Sequence, residues 1–269
     1  METIKRDNAT IDYQRSGEGD ITLVFVHGSY IDKTYWNDQV EYFSKKFSIV
    51  TIDLPGHGKS SRDRSSWSIM GFADDVVEVI KQLKLQNVIL IGHSIGADIS
   101  LIAAVKHPEP IIGFIAVDFF KDAATPLPEK YRDQVDAILA SLKTDFEDTN
   151  EQYARTALLR DETPSIVTQR VIRDYRNAFK PMGVATMPEV FAMDKAEREY
   201  LPKLPVKLHL LNVDYIPTNE EPLQRVLSHG YDIEHLEGTS HYPMIENPSA
   251  FNVALEKAIS KIEIEVHVH

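Results

Sequence analysis

Two hydrophobic rhythms alternate through the first half of the chain. Ile21 to Val26, Phe47 to Ile52, Val88 to Ile91 and Ile111 to Val117 are nearly continuous apolar runs rich in β-branched residues. Runs of this kind are expected of strands buried on both faces of a parallel sheet. Between the second and third runs, Phe72, Val76, Val77, Ile80 and Leu83 recur at helical spacing. The stretch from Ala97 to His107 is small and apolar and stops at Pro108, as a buried helix would. Later, Val206 to Val213 reads as another strand, and Phe251, Ala254, Leu255, Ala258 and Ile259 mark one face of a helix that starts after Asn247-Pro248. This order predicts a doubly wound α/β sheet, whose ligands gather at the carboxyl ends of the strands. The tail, Lys261 to His269, alternates strictly. It predicts an edge strand with Ile and Val on one face and Glu263, Glu265, His267 and His269 on the other, a strand that frays or pairs with a second subunit in a homodimer.

The loops at the predicted carboxyl edge carry chemistry. Directly after the third run stands Gly92-His93-Ser94-Ile95-Gly96. A G-x-S-x-G sequence between a strand and a helix is a nucleophile elbow, which lifts a serine hydroxyl above the sheet at the start of a helix. Gly92 and Gly96 fall where a Cβ would strike the neighbouring strand or the oncoming helix. The helix N-terminus offers free N–H groups and a positive dipole end to an oxyanion. Ser94 is therefore the candidate nucleophile.

Four motifs, His27-Gly28, Asp53-Leu54-Pro55-Gly56-His57-Gly58-Lys59-Ser60, the elbow, and Gly238-Thr239-Ser240-His241-Tyr242-Pro243, are spread over nearly the whole chain. In these the chain resembles the α/β-hydrolase superfamily, in its branch of esterases, non-haem haloperoxidases and carbon-carbon hydrolases. One departure is Ser240, where the family commonly has glycine. The resemblance implies an α/β-hydrolase core over 1–118 and 203–261, a helical cap over 119–202 inserted after the sixth strand, and a separate tail over 262–269. It also implies a Ser-His-Asp triad. His241 is the candidate base, in a loop late in the chain, and His27 and His93 read as residues that hold loops together. For the acid, Asp214 at the end of the late strand is favoured, with Asp118 at the end of Ile111 to Val117 as the alternative. The backbone N–H groups of Ser29 and Ile95 would form the oxyanion hole. Tyr30 and Trp36 near that loop, and Met187 and Phe191 in the cap, are candidates to line the substrate pocket. A serine at the elbow disfavours the dehalogenase and epoxide hydrolase chemistries of the fold, which use aspartate there.

Composition narrows the reading further. With 269 residues, 43% of them hydrophobic, the chain can bury a full core without disulfides, and it has no cysteine for a cystine framework or a thiol nucleophile. A net charge of −12 disfavours nucleic acid and anionic membrane surfaces as partners. No stretch is long enough to span a membrane, and the polar start lacks a signal-peptide core, so a cytoplasmic location is expected. No phosphate-cradling loop, His-Glu-x-x-His or dinucleotide fingerprint is present, so no cofactor and no functional metal are expected. The leading expectation is a serine hydrolase that cleaves a small carboxylic ester or thioester through an acyl-enzyme on Ser94. Its alternatives are a carbon-carbon hydrolase or acyltransferase with the same triad, or a hydrolase-fold receptor with little turnover.

Overall fold

A computed structural model describes residues 2–268. Among the described residues the strands are β1 (Glu2–Arg6), β2 (Ala9–Ser16), β3 (Thr22–Val26), β4 (Ser48–Ile52), β5 (Val88–His93), β6 (Ile111–Val117), β7 (Leu208–Val213) and β8 (Tyr231–Leu236). They form one sheet in the order β1-β2-β4-β3-β5-β6-β7-β8. β1, β2 and β4 pair antiparallel, and every pairing from β4 across to β8 is parallel. The apolar runs of the sequence are these inner strands, and all residues of β3, β5 and β7 are buried, as double coverage by helices requires. The antiparallel pair β1 and β2, like β8 at the opposite edge, has no run in the sequence that reveals it. Glu2, Thr3, Lys5, Gln14 and Arg15 are exposed near the sheet edge, where no apolar run is needed, while Asp12 is buried against Lys33.

Helices cover both faces: α1 (Asn37–Phe43), α2 (Ile69–Gln82), α3 (Ile95–Lys106), then α4 (Arg132–Thr144), α5 (Phe146–Tyr153), α6 (Ser165–Arg176), α7 (Lys180–Val190), α8 (Asp194–Tyr200), and finally α9 (Glu220–Val226), α10 (Pro243–Glu246) and α11 (Pro248–Val268). α3 is buried all round from Ile95 to Ala104, which matches its lack of a polar face. The helices α4 to α8 run between β6 and β7, over the carboxyl edge of the sheet. They are tied to the core by Tyr35 Oη donating to Asp174 at 2.8 Å, by the Ile69 N–H donating to Glu189 at 2.7 Å, and by the His241 N–H donating to the Leu158 carbonyl at 3.1 Å.

The register sets the working edge. Val26 pairs with Ile52 and Gly92, His93 with Val117, and Val117 with Leu211. Asp53, Ser94 and Asp118 thus leave adjacent strands at nearly one level, beside His27 and Gly28.

The tail is helical, not an edge strand, and continues α11 to Val268. Once a helix is nucleated each added residue gains a hydrogen bond at little cost, and Ala254, Leu255, Ala258, Ile259 and Ile262 already hold one face of α11 against the sheet. Ion pairs from Lys46 to Glu263 and from Lys207 to Glu265 fasten the next turns. Strict alternation therefore leaves Ile264 and Val266 exposed. His269 and the side chain of His267 lie outside the described residues.

Candidate active site

Ser94 sits in the left-handed region, at φ 55° and ψ −131°, between β5 and α3. Such a conformation strains any residue with a Cβ, and the surroundings hold it in place. The Ser94 N–H donates to the Val117 carbonyl at 3.1 Å, and the Ser94 carbonyl accepts from Ala97 at 2.8 Å. A Cβ on Gly92 would stand 2.3 Å from the Gly96 carbonyl oxygen, and one on Gly96 would stand 2.5 Å from that of Val26. Those contacts are impossible, so the two glycines let β5, α3 and β3 close around the turn. Gly28 is packed the same way against Ser94 itself, since its Cβ would lie 3.0 Å from Ser94 Cβ. The loop bearing Ser29 and the N-terminus of α3 bearing Ile95 consequently flank Ser94, and the first N–H groups of a helix have no acceptor within it.

His241 points Nδ1 at a carboxylate, and that carboxylate is Asp118. The Nδ1–H donates to Asp118 Oδ2 at 2.6 Å. Asp214, the acid favoured by the sequence, is exposed and is not the residue that His241 meets. The reason lies in register. Val117 is level with Leu211, so Asp118 leaves β6 level with Asn212, while β7 runs on to Val213. Two further residues carry Asp214 about 6.6 Å outward, at about 3.3 Å per residue. Asp118, at φ 49°, turns back into the interior and is only 3% exposed.

Burial alone would raise the Asp118 carboxyl. The hydrogen bond and charge of His241 and the ammonium of Lys121 outweigh it and bring the group down to about 2. An anionic Asp118 fixes the proton of His241 on Nδ1. The free nitrogen, Nε2, is buried and has no hydrogen-bond partner, Ser94 included. The ring itself lies against the residue before Ser94: the His93 and His241 ring centres are 4.6 Å apart, and His93 Nε2–H donates to the His241 carbonyl at 2.7 Å. Burial, seconded by the charge of His241, holds His93 well below the ordinary imidazole range, so it stays neutral. His27 likewise ties loops, with Nδ1–H on the Gly28 carbonyl at 2.8 Å and Nε2 accepting from the Leu54 N–H at 3.0 Å.

Beside Ser94 lies a tight cavity with about 10 Å³ for solvent, room for about one water. Its floor is Gly28, Ser29 and Ile95, and its roof is Met182, Thr186 and Val190 from α7. Tyr30 lines it, at φ 63°, with a buried hydroxyl that has no hydrogen-bond partner. The other three pocket candidates fall elsewhere. Trp36 is fully buried in the core against Phe25 and Phe251. Met187 is buried on α7 but off the Met182-Thr186-Val190 face, whose i, i+4, i+8 spacing selects it out. Phe191 packs on Tyr153 at 6.0 Å and lines a separate groove of about 880 Å³ between α4 and α5.

Several residues at the site carry no sequence signal. Lys121 and Tyr215 both reach Asp118, at 2.6 and 3.2 Å. Ser240, where the resemblance leads one to expect glycine, bonds Glu246 through its hydroxyl and its N–H, which pins the loop ahead of His241. Only the last was open to inference, as a polar residue in place of glycine. Away from the site, His209 lies 3.7 Å from Asp232 and 3.6 Å from Glu265, ligand types that suit a transition metal. The Lys207 ammonium bridges the two carboxylates at 2.8 and 3.2 Å and supplies the positive charge there.

The family profile described as the Alpha/beta hydrolase family matches residues 23–254. The (E)-2-((N-methylformamido)methylene)succinate hydrolase of Acinetobacter baylyi is 37% identical over 103 residues, which cover 38% of this chain and 39% of that one. The 2-(acetamidomethylene)succinate hydrolase of Mesorhizobium japonicum is 26% identical over 179 residues, 66% of this chain and 62% of the relative. Both matches thus span less than two thirds of the relative's length. Among solved structures, a thermophilic esterase from Thermogutta terrifontis superposes with a TM-score of 0.80 over 94% of each chain at 19% identity, a likeness of fold. No described helix is long and apolar enough to cross a membrane.

Proposed function

The chain belongs to the alpha/beta hydrolase family, and from that premise we propose that it is a serine hydrolase cleaving a small carboxylic ester or thioester through an acyl-enzyme on Ser94. The observation that carries the proposal is the 2.6 Å bond from His241 Nδ1 to the buried anion of Asp118, which leaves Nε2 as a base without a partner next to the elbow. In the reaction, Nε2 takes the Ser94 hydroxyl proton while Oγ bonds to the carbonyl carbon. The carbonyl oxygen becomes an oxyanion held by the N–H groups of Ser29 and Ile95. Collapse breaks the bond to the alcohol or thiol, which leaves with the proton returned from Nε2. A water then attacks the acyl carbon while Nε2 takes one of its protons, and collapse breaks the bond to Ser94 Oγ, which recovers that proton as the acid product leaves.

The tight cavity beside the oxyanion loop supports a short acyl group. That observation also favours a second set of substrates. The names of the two hydrolase relatives describe molecules with formamido and acetamido groups, short acyl units on nitrogen. The test is a fluorophosphonate probe followed by turnover of p-nitrophenyl acetate. Wild-type protein is expected to be labelled at Ser94, and Ser94→Ala to lose labelling and up to about a millionfold of turnover. Turnover retained in Ser94→Ala refutes the assignment.

A further inference from the structure

Asp118 receives four donors. Oδ1 accepts the Val213 N–H at 3.0 Å and the Lys121 ammonium at 2.6 Å, and Oδ2 accepts His241 Nδ1–H at 2.6 Å and Tyr215 Oη at 3.2 Å. One lysine charge therefore lies on the same carboxylate that orients the candidate base. Lys121 is not a loose surface residue. Its side chain is 13% exposed, its ammonium also donates to the Val213 carbonyl at 2.8 Å and stands 4.2 Å from the Tyr215 ring centre, and its own carbonyl accepts the Asn219 N–H at 2.7 Å. These contacts join the loop after β6 to the loop after β7, so the ammonium is held on Asp118 from two sides.

We propose that Lys121 is a positioning residue that tunes the base: it shares the charge of Asp118, so that the carboxylate stabilises a protonated His241 less than an unshared one would. This rests on the triad reading of the previous section. Charges in a buried site are screened less than at the surface, and a cation beyond the carboxylate opposes a second cation on the imidazole. The other groups facing this pair do not supply the effect. His93 is neutral through burial, burial keeps the Tyr215 phenol protonated, and the Glu246 carboxylate, which accepts from the Ser240 N–H and hydroxyl, is the same in wild type and in every Lys121 variant. The consequence is read in variants: without the ammonium, the unshared carboxylate favours the protonated imidazole.

The test compares Lys121→Gln, Lys121→Met and Lys121→Arg with wild type. Glutamine removes the charge and retains N–H donors on a side chain one bond shorter, and methionine removes charge and donors at nearly the length of lysine. Two profiles are read against pH: kcat/KM on p-nitrophenyl acetate, and the His241 ring C–H shift by NMR, which needs no turnover. The acid-side midpoint is expected to rise by about one pH unit in the Gln and Met variants, tenfold in activity on that limb, and to stay at the wild-type position in the Arg variant. If either charge-free variant folds and keeps the wild-type midpoint in both profiles, Lys121 is only a tie between loops and the proposal falls. Should wild type fail to label at Ser94 while the NMR midpoint still moves with the charge, it is the acyl-enzyme reading that fails.

Discussion

Replacing Asp118 or Asp214 by asparagine separates the acid that geometry supports from the one that sequence favoured. The fold draws the Asp118 carboxyl from its ordinary value near 3.8 to about 2. At about 1.36 kcal/mol per unit this is on the order of 2 kcal/mol in favour of the anion, with little to discount for screening because the group is 3% exposed. In Asp118→Asn that anion is gone. The amide presents the imidazole with a choice of tautomer, and the form with a proton on Nε2 cannot accept one from Ser94. In serine triads the same isosteric change costs about 10⁴ in kcat. Asp214 is exposed, and Asp214→Asn is expected to stay within about twofold of wild type. The assay is kcat for p-nitrophenyl acetate at pH 7.5, with urea unfolding to show that both variants are folded. The sign of the pH effect follows from the depressed carboxyl: its contribution to stability is present above about 4 and is lost as pH falls toward 2, so Asp118→Asn should flatten the loss of stability in that window. A four-decade loss in Asp214→Asn, with Asp118→Asn near wild type, would refute the reasoning.

Two further outcomes follow from buried groups around the cap. Burial, with repulsion from Asp194, lifts the Glu197 carboxyl on α8 to about 7, and burial together with Glu197 lifts Asp98 on α3 well above its usual range. Glu197 gives up its proton near pH 4.5 in the unfolded chain and near 7 in the folded one, and Asp98 shifts in the same direction, so stability falls as pH rises across that window. Glu197→Gln should remove a penalty on the order of 3 kcal/mol at pH 8 and leave stability nearly unchanged at pH 4, and an equal effect at both pH values in urea unfolding contradicts this. Thr186 roofs the cavity beside Ser94, and its hydroxyl is satisfied by the Met182 carbonyl at 3.0 Å. Thr186→Ala should raise the butyrate-to-acetate ratio of kcat/KM roughly tenfold, whereas an unchanged ratio places the acyl group elsewhere.

How far the chain could be read without coordinates depends on whether a feature is local. The elbow is local: Gly92, Ser94 and Gly96 lie within five residues, and the turn they make is dictated by clashes between near neighbours and two adjacent strands. The parallel strands were legible because burial on both faces leaves an unbroken apolar run, and β1 and β2 escaped because an edge hairpin needs none. The choice between Asp118 and Asp214 is not local at all. Both end a strand, both are followed by loops, and what divides them is that β7 runs two residues past the level of Val117, a fact held in the pairing of β6 with β7 and in neither segment alone. The same is true of Lys121, which matters because the loop after β7 brings the Val213 carbonyl, Tyr215 and Asn219 around it. The tail errs in the opposite direction: its alternation is a local signal for a strand, overridden by a helix that entered from upstream with one face already buried. A triad is thus half inscribed in motifs and half in register, and register is what the sequence pattern of a fully buried strand leaves weakly marked, since no polar face is there to fix it.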